Sequence, residues 1–140
     1  MGIATEPIAP GVWRSEEPGV DPMFRAAMVT VTGRDADLQF DFGCGLGPLR
    51  PALPLSGAPV IAVASHAHVD HIGGFHEFAD RRGHAAEAAA FAGLDPAATF
   101  AGEFADWPGG AVPGHDLSAW RLTPAPLTLA LAEGDRIDLG

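Results

Sequence analysis

Apolar and polar residues alternate twice in the first third of the chain. Ala27–Thr32 (AMVTVT) and Asp37–Phe42 (DLQFDF) repeat hydrophobic side chains at every second position, the period of a half-buried β-strand. Gly33, Arg34 and Asp35 form a turn between them, so the pair is predicted to be a hairpin. Gly11–Ser15 (GVWRS) predicts a short first strand after Pro10, and Glu16–Pro22 is turn-rich. Pro59–Ala64 (PVIAVA) has a different pattern. It is apolar without interruption, as expected of a strand buried on both faces.

Between these strands, GCGLGPLRPALPL is loop and turn material with a short helix expected near Leu49. Ile72–Asp80 predicts a short helix, and Ala85–Ala92 (AAEAAAFA) a stronger one that Gly93 stops. Residues 95–126 carry many Gly and Pro and are expected to be mostly loop. Leu127–Leu131 predicts a strand, Gly134–Asp135 a turn, and Arg136–Leu139 the start of another strand. Strands followed by a strand–loop–helix unit predict an α/β (α+β) arrangement, a mixed sheet with flanking helices.

Composition narrows this picture. The chain has 140 residues, 47% of them hydrophobic, enough for one globular domain with its own core. There is no internal repeat and no low-complexity linker. A net charge of -10 repels phosphate backbones, so no nucleic-acid partner is expected, but it does not deter a locally bound cation. Cys44 is the single cysteine, which excludes an internal disulfide and fits a reducing compartment. The N-terminal segment lacks the pattern of a secretory leader, and no apolar run approaches the roughly 20 residues a membrane span needs. A cytoplasmic protein acting on a small molecule, without a membrane partner, is the expectation.

The chemistry concentrates in residues 65–74, SHAHVDHIGG. His66, His68, Asp70 and His71 fall within six positions at the end of the apolar run PVIAVA. In extended backbone, alternate side chains share a face, so His66 and His68 can point the same way. Strand carboxyl ends are favoured places for sites in α/β sheets. Imidazole and carboxylate both suit Zn²⁺, but four donors on so short a tether can hardly all reach one tetrahedral ion. The spacing favours a split: His66 with His68 on one ion, Asp70 with His71 on a neighbour. The competing reading is a set of histidines with no ligand role, which the spacing and the strand-end position disfavour.

HAHVDHIGG resembles the His-x-His-x-Asp-His signature of the metallo-β-lactamase superfamily. GVWR is similar to that family's first strand. LQFDFGCG is similar to its strand ending in an aspartate and a glycine, and LAEGDRIDLG to the stretch before the strand that leads to its third metal histidine. The resemblance implies the first half of an αβ/βα sandwich. His66 and His68 would ligate one metal, and Asp70 and His71 the second. Asp70 would also be catalytic, orienting a bridging hydroxide. Asp41 would hold the ligand loop by hydrogen bonds from behind, and Gly73 and Gly74 would let backbones pass closely. The cofactor implied is Zn²⁺, two per complete site, with Fe or Mn as alternatives.

The resemblance also implies missing parts. The family's second half supplies a third histidine, a bridging aspartate and a last histidine. His76, His84 and His115 are not expected to replace them. His115 precedes LAEGDRIDLG rather than following it, and Asp116-Leu117 stands where the family has a small residue and a glycine. Residues 1–140 are therefore expected to form a single incomplete domain, an N-terminal fragment lacking its C-terminal half. The parent is expected to be a hydrolase using a metal-bound hydroxide on an ester, thioester, amide or phosphoester, with the fragment inactive or nearly so. An iron-dependent oxidoreductase of the same fold, a nuclease branch and a non-catalytic remnant or metal-binding module are the alternatives.

Overall fold

The two alternating segments pair as their pattern predicts. In the computed structural model, which describes residues 2–140, β1 (Ala4–Ala9), β2 (Val12–Glu16), β3 (Met28–Thr32) and β4 (Asp37–Phe40) form an antiparallel meander. Three parallel strands follow: β5 (Val60–Val63), β6 (Asp80–His84) and β7 (Leu129–Leu131). The sheet has seven strands in sequence order, so it is mixed, antiparallel in its first part and parallel in its second. Helices α1 (Val69–Ile72), α2 (Ala88–Ala92) and α3 (Ala101–Asp106) lie in the connections after β5 and β6.

The parallel step from β4 to β5 positions the site. Phe40 lies opposite Val63, so both strands end at the same level, and Asp41 N–H donates to the Val63 carbonyl at 3.1 Å. Asp41 and Ser65 thereby leave the sheet side by side at its carboxyl edge, where an α/β sheet gathers its functional loops.

Two buried clusters support this edge. One contains Phe42, Ile72, Phe75, Phe78 and Phe91. The other contains Cys44, Val69, Phe104, Val112 and Trp120. A fully buried Phe contributes about 1.5–3 kcal/mol, whereas a four-residue helix has no stability of its own. Helix α1 therefore exists because Val69 and Ile72, three residues apart, anchor it in the two clusters. The opposite sheet face is less covered. Val29, Val31, Leu38, Ile61 and Val63 stay half-buried there, and Phe40 is 36% exposed.

Several expectations are corrected. Strand β1 was not foreseen, because every residue of ATEPIA is exposed and Pro7 interrupts it; it is an edge strand with no buried face to impose alternation. Pro59–Ala64 does form a strand, but only Ala62 and Ala64 are buried while Ile61 and Val63 are half-exposed, so it is not buried on both faces. The helix expected over Ile72–Asp80 sits earlier, at α1, followed by a 3₁₀ turn at Phe75–Glu77; Asp80 already begins β6. β6 reads DRRGH and has no hydrophobic period. It is placed by pairing on both sides and by Gly83, which is buried against Leu127 and Phe91. Arg136–Leu139 forms no strand; the Leu139 carbonyl instead accepts from Asp35 N–H at 2.9 Å, tying it to the β3–β4 turn. Among the described residues no helix is long and apolar enough to cross a membrane.

Candidate metal centre

The chain leaves β5 in extended form and turns at His68, whose φ and ψ are -78° and 145°. His71 N–H then donates to the His68 carbonyl at 3.0 Å, closing the first turn of α1. With Val69 and Ile72 committed to the interior, the remaining side chains of the turn face outward. His66 is central. Its ring lies 4.5 Å from that of His68 and 4.3 Å from that of His71, centroid to centroid. His71 Nε2 and Asp70 Oδ2 are 3.5 Å apart. The four predicted residues thus come together, and His66 touches both halves of the predicted split rather than His68 alone.

Asp41 organises the cluster. It is 3% exposed and adopts φ 61°, a left-handed conformation that aspartate tolerates better than most residues. Gln39 Nε2 fixes its carbonyl at 3.0 Å. Its carboxylate accepts from Ser65 N–H at 2.8 Å, from Ser65 Oγ at 2.8 Å and from His71 Nδ1 at 2.7 Å. Because Ser65 Oγ donates its one proton to Asp41, it accepts from His66 Nδ1 at 2.8 Å. Two imidazoles are thereby oriented from one carboxylate, each with Nδ1 occupied and Nε2 free. Metal-binding histidines are typically held in this way.

The ring environments differ. Burial, followed by the neighbouring His71 and His68, holds the His66 pKa below the usual histidine value. The hydrogen bond to Asp41 raises that of His71.

Close backbone packing fixes the turn from below. Gly73 N–H donates to the Gly43 carbonyl at 2.8 Å, Gly74 N–H to the Phe42 carbonyl at 2.9 Å, and Phe42 N–H to the His71 carbonyl at 2.9 Å. The Cys44–Gly45 peptide lies against Gly73 so tightly that a Cβ there would stand 2.0 Å from Cys44 C and Gly45 N. Cys44 N–H in turn donates to the buried Glu17 carboxylate at 2.8 Å.

Ser65 and Glu17 were not singled out from the sequence. Ser65 stands directly before the first histidine, where a hydroxyl can bridge it to a neighbouring strand end. Glu17 lies within a turn-rich stretch and gives no signal.

Burial raises the Glu17 pKa, and the Cys44 peptide only partly opposes this. A carboxyl with a raised native pKa holds its proton more tightly in the folded state. Its contribution to stability is therefore present at low pH and lost as pH rises through the native value. Relative to the native chain, Glu17→Gln is expected to gain unfolding free energy in urea as pH goes from about 4 to about 7. A difference that does not change with pH would contradict this.

With bonds of roughly 2.0–2.1 Å, two ligands on one tetrahedral Zn²⁺ stand about 3.3 Å apart. The 3.5 Å between His71 Nε2 and Asp70 Oδ2 matches a pair of ligands on one ion. Among the described residues, however, no group of three or more His, Cys, Asp or Glu side chains is arranged to hold a metal. The residues fit zinc as a partial ligand set. The other histidines do not extend it. His76 Nδ1 bonds the Gly73 carbonyl at 3.2 Å, His84 Nδ1 accepts from Ala86 N–H at 3.1 Å as the cap of a 3₁₀ turn, and His115 lies exposed in a loop.

A mixed sheet with His-x-His-x-Asp-His at the carboxyl end of a parallel strand defines the class: this chain has the metallo-β-lactamase fold. A metallo-β-lactamase of Cronobacter sakazakii described by a HARLDQ motif superimposes with a TM-score of 0.64 at 21% identity, over 97% of this chain and 50% of that one. The present loop reads HAHVDH. The acyl-coenzyme A thioesterases MBLAC2 of Homo sapiens and Bos taurus are each 31% identical over 98% of this chain and 54% of their own length. The chicken (Gallus gallus) protein of the same name is 37% identical over 63% of this chain and 35% of its own. The chain spans about half the length of the curated relatives it matches in full. No protein-family profile matches it.

Proposed function

We propose that residues 1–140 are the ligand-bearing N-terminal half of a metallo-β-lactamase-fold hydrolase that cleaves a thioester of the acyl-coenzyme A type. The observation that carries this reading is the shared anchoring of His66 and His71 on Asp41, which leaves both Nε2 atoms free, that of His71 3.5 Å from Asp70 Oδ2. His66, His68, Asp70 and His71 would hold zinc, two ions in the complete site, with the remaining ligands supplied by a second half. Bound zinc would polarise the scissile carbonyl and lower the pKa of water. The chain's own residues do the positioning. Asp41 and Ser65 hold the imidazoles by hydrogen bonds, and Asp70 would orient the attacking water. The 31% identity to proteins named acyl-coenzyme A thioesterases supports the thioester over other acyl derivatives. The reading goes with a cytoplasmic setting, in which the buried thiol of Cys44 stays reduced.

The test is thiol release from an acyl-coenzyme A by the full protein to which this chain corresponds. Release is expected to stop on chelation, return with zinc, and fall at least about 100-fold in His71→Ala. Release that survives both chelation and the substitution would overturn the reading. So would iron in the purified protein together with oxygen uptake.

A further inference from the structure

Glu17 is a buried carboxylate that the chemistry above does not use. It follows β2, is 5% exposed, and among the described residues pairs with no arginine. Burying an unpaired acid is costly unless hydrogen bonds compensate.

The carboxylate acts on the Cys44 peptide. Its Oε2 accepts from Cys44 N–H at 2.8 Å, while Trp120 Nε1 donates to the Cys44 carbonyl at 3.0 Å from another side. Gly43 is packed onto Glu17 so closely that a Cβ would stand 2.8 Å from Oε2. The Gly43–Cys44 peptide fixed in this way takes Gly73 N–H on its Gly43 carbonyl at 2.8 Å, and the next peptide, Cys44–Gly45, leaves Gly73 no space for a Cβ. Gly73 comes two residues after His71, and the same loop takes the His71 carbonyl through Phe42 N–H and the His71 ring through Asp41. A shift of Cys44 therefore cannot be absorbed locally. It displaces Gly73, and with it the segment carrying Asp70 and His71.

We infer that Glu17 is a positioning residue for the metal-binding turn: by holding the Gly43–Cys44 peptide, whose carbonyl takes Gly73 N–H, it sets the placement of Asp70 and His71. The inference rests on the metal seat proposed above.

The experiment uses the full 140-residue chain, freed of metal and titrated with Zn²⁺ by calorimetry and with Co²⁺ by absorption spectroscopy. Glu17→Ala removes the acceptor and is expected to weaken zinc binding about 10–100-fold, the usual effect of losing a group behind the ligands, and to change the Co²⁺ spectrum. Glu17→Gln keeps an oxygen that accepts from Cys44 N–H and is expected to restore affinity and spectrum to near the native ones. Leu53→Ala, a core truncation outside residues 41–45 and 65–74, controls for lost stability and is expected to bind zinc as the native chain does. Where Glu17→Ala does not fold, Glu17→Asp draws the acceptor back by one methylene and is expected to show the weakened affinity in a folded chain. Native affinity and spectrum in the Ala or Asp variant would overturn the inference, as would an equal loss in Leu53→Ala. No zinc binding by the native chain would instead overturn the metal seat itself.

Discussion

Gly73→Ala is expected to leave little folded protein. The backbone at Gly73 has φ -56° and ψ -42°, an ordinary helical conformation that alanine adopts freely. The cost is therefore steric alone. A Cβ would stand 2.0 Å from Cys44 C and Gly45 N and 2.4 Å from the Cys44 carbonyl oxygen. All three are backbone atoms of a loop pinned by Glu17 and Trp120, so neither side can yield. Overpacking of a yielding core costs about 1–3 kcal/mol; against a fixed backbone the loss should exceed about 4 kcal/mol, a large part of the 5–15 kcal/mol of a typical domain. Gly74→Ala is the comparison. Its Cβ would meet Leu49 Cδ2 at 2.7 Å, which can rotate away, and Leu49 Cβ at 2.8 Å, which must shift with its backbone, so the loss should be smaller than at Gly73, where backbone atoms stand at 2.0 Å. Soluble yield and thermal melting by circular dichroism read the difference. A Gly73→Ala chain melting within a few degrees of the native one would show that the loop gives way.

Asp41→Ala is expected to have the second-largest effect. It removes the acceptor of three hydrogen bonds, two from Ser65 and one from His71. Bonds to a charged group contribute about 1.5–3 kcal/mol each. Alanine also sits poorly at φ 61°, at a further cost of about 1–2 kcal/mol. Losses in contact with one another do not add fully, so about 4 kcal/mol is the expected scale. Asp41→Asn separates stability from metal binding. Asparagine accepts the left-handed backbone but turns one acceptor into a donor facing donors. It should fold with a smaller loss while zinc affinity falls about 10–100-fold. Urea unfolding with zinc titration checks both, and an Asn variant with native zinc affinity would contradict the role given to Asp41.

The fold class and the candidate ligand cluster were legible in the sequence; several individual strands were not. Four ligand candidates within six residues, after an apolar run, needed only strand geometry to be read, and Asp41 followed from resemblance. The split into His66–His68 and Asp70–His71 stays a proposal; the turn at His68 returns the chain and sets the His66 ring beside both His68 and His71. The hairpin of β3 and β4 was legible from its alternation, although the fully buried side chains are Met28, Thr30, Asp37 and Gln39 and the apolar face of Val29, Val31, Leu38 and Phe40 is the less covered one. Strands β1 and β6 were not, because edge exposure and sheet pairing place them rather than any hydrophobic period. Glu17 and Ser65 escaped for a related reason: their roles depend on loops 27 and 24 residues away in sequence.

Zinc calorimetry on the 140-residue chain and its His66→Ala/His71→Ala double variant tests the metal seat most directly. Both rings are partly solvent-accessible, so the double variant should keep the native circular dichroism spectrum. The native chain is expected to show saturable zinc binding that the variant has lost. The same isotherm from both folded proteins would mean that the HAHVDH turn does not hold the metal.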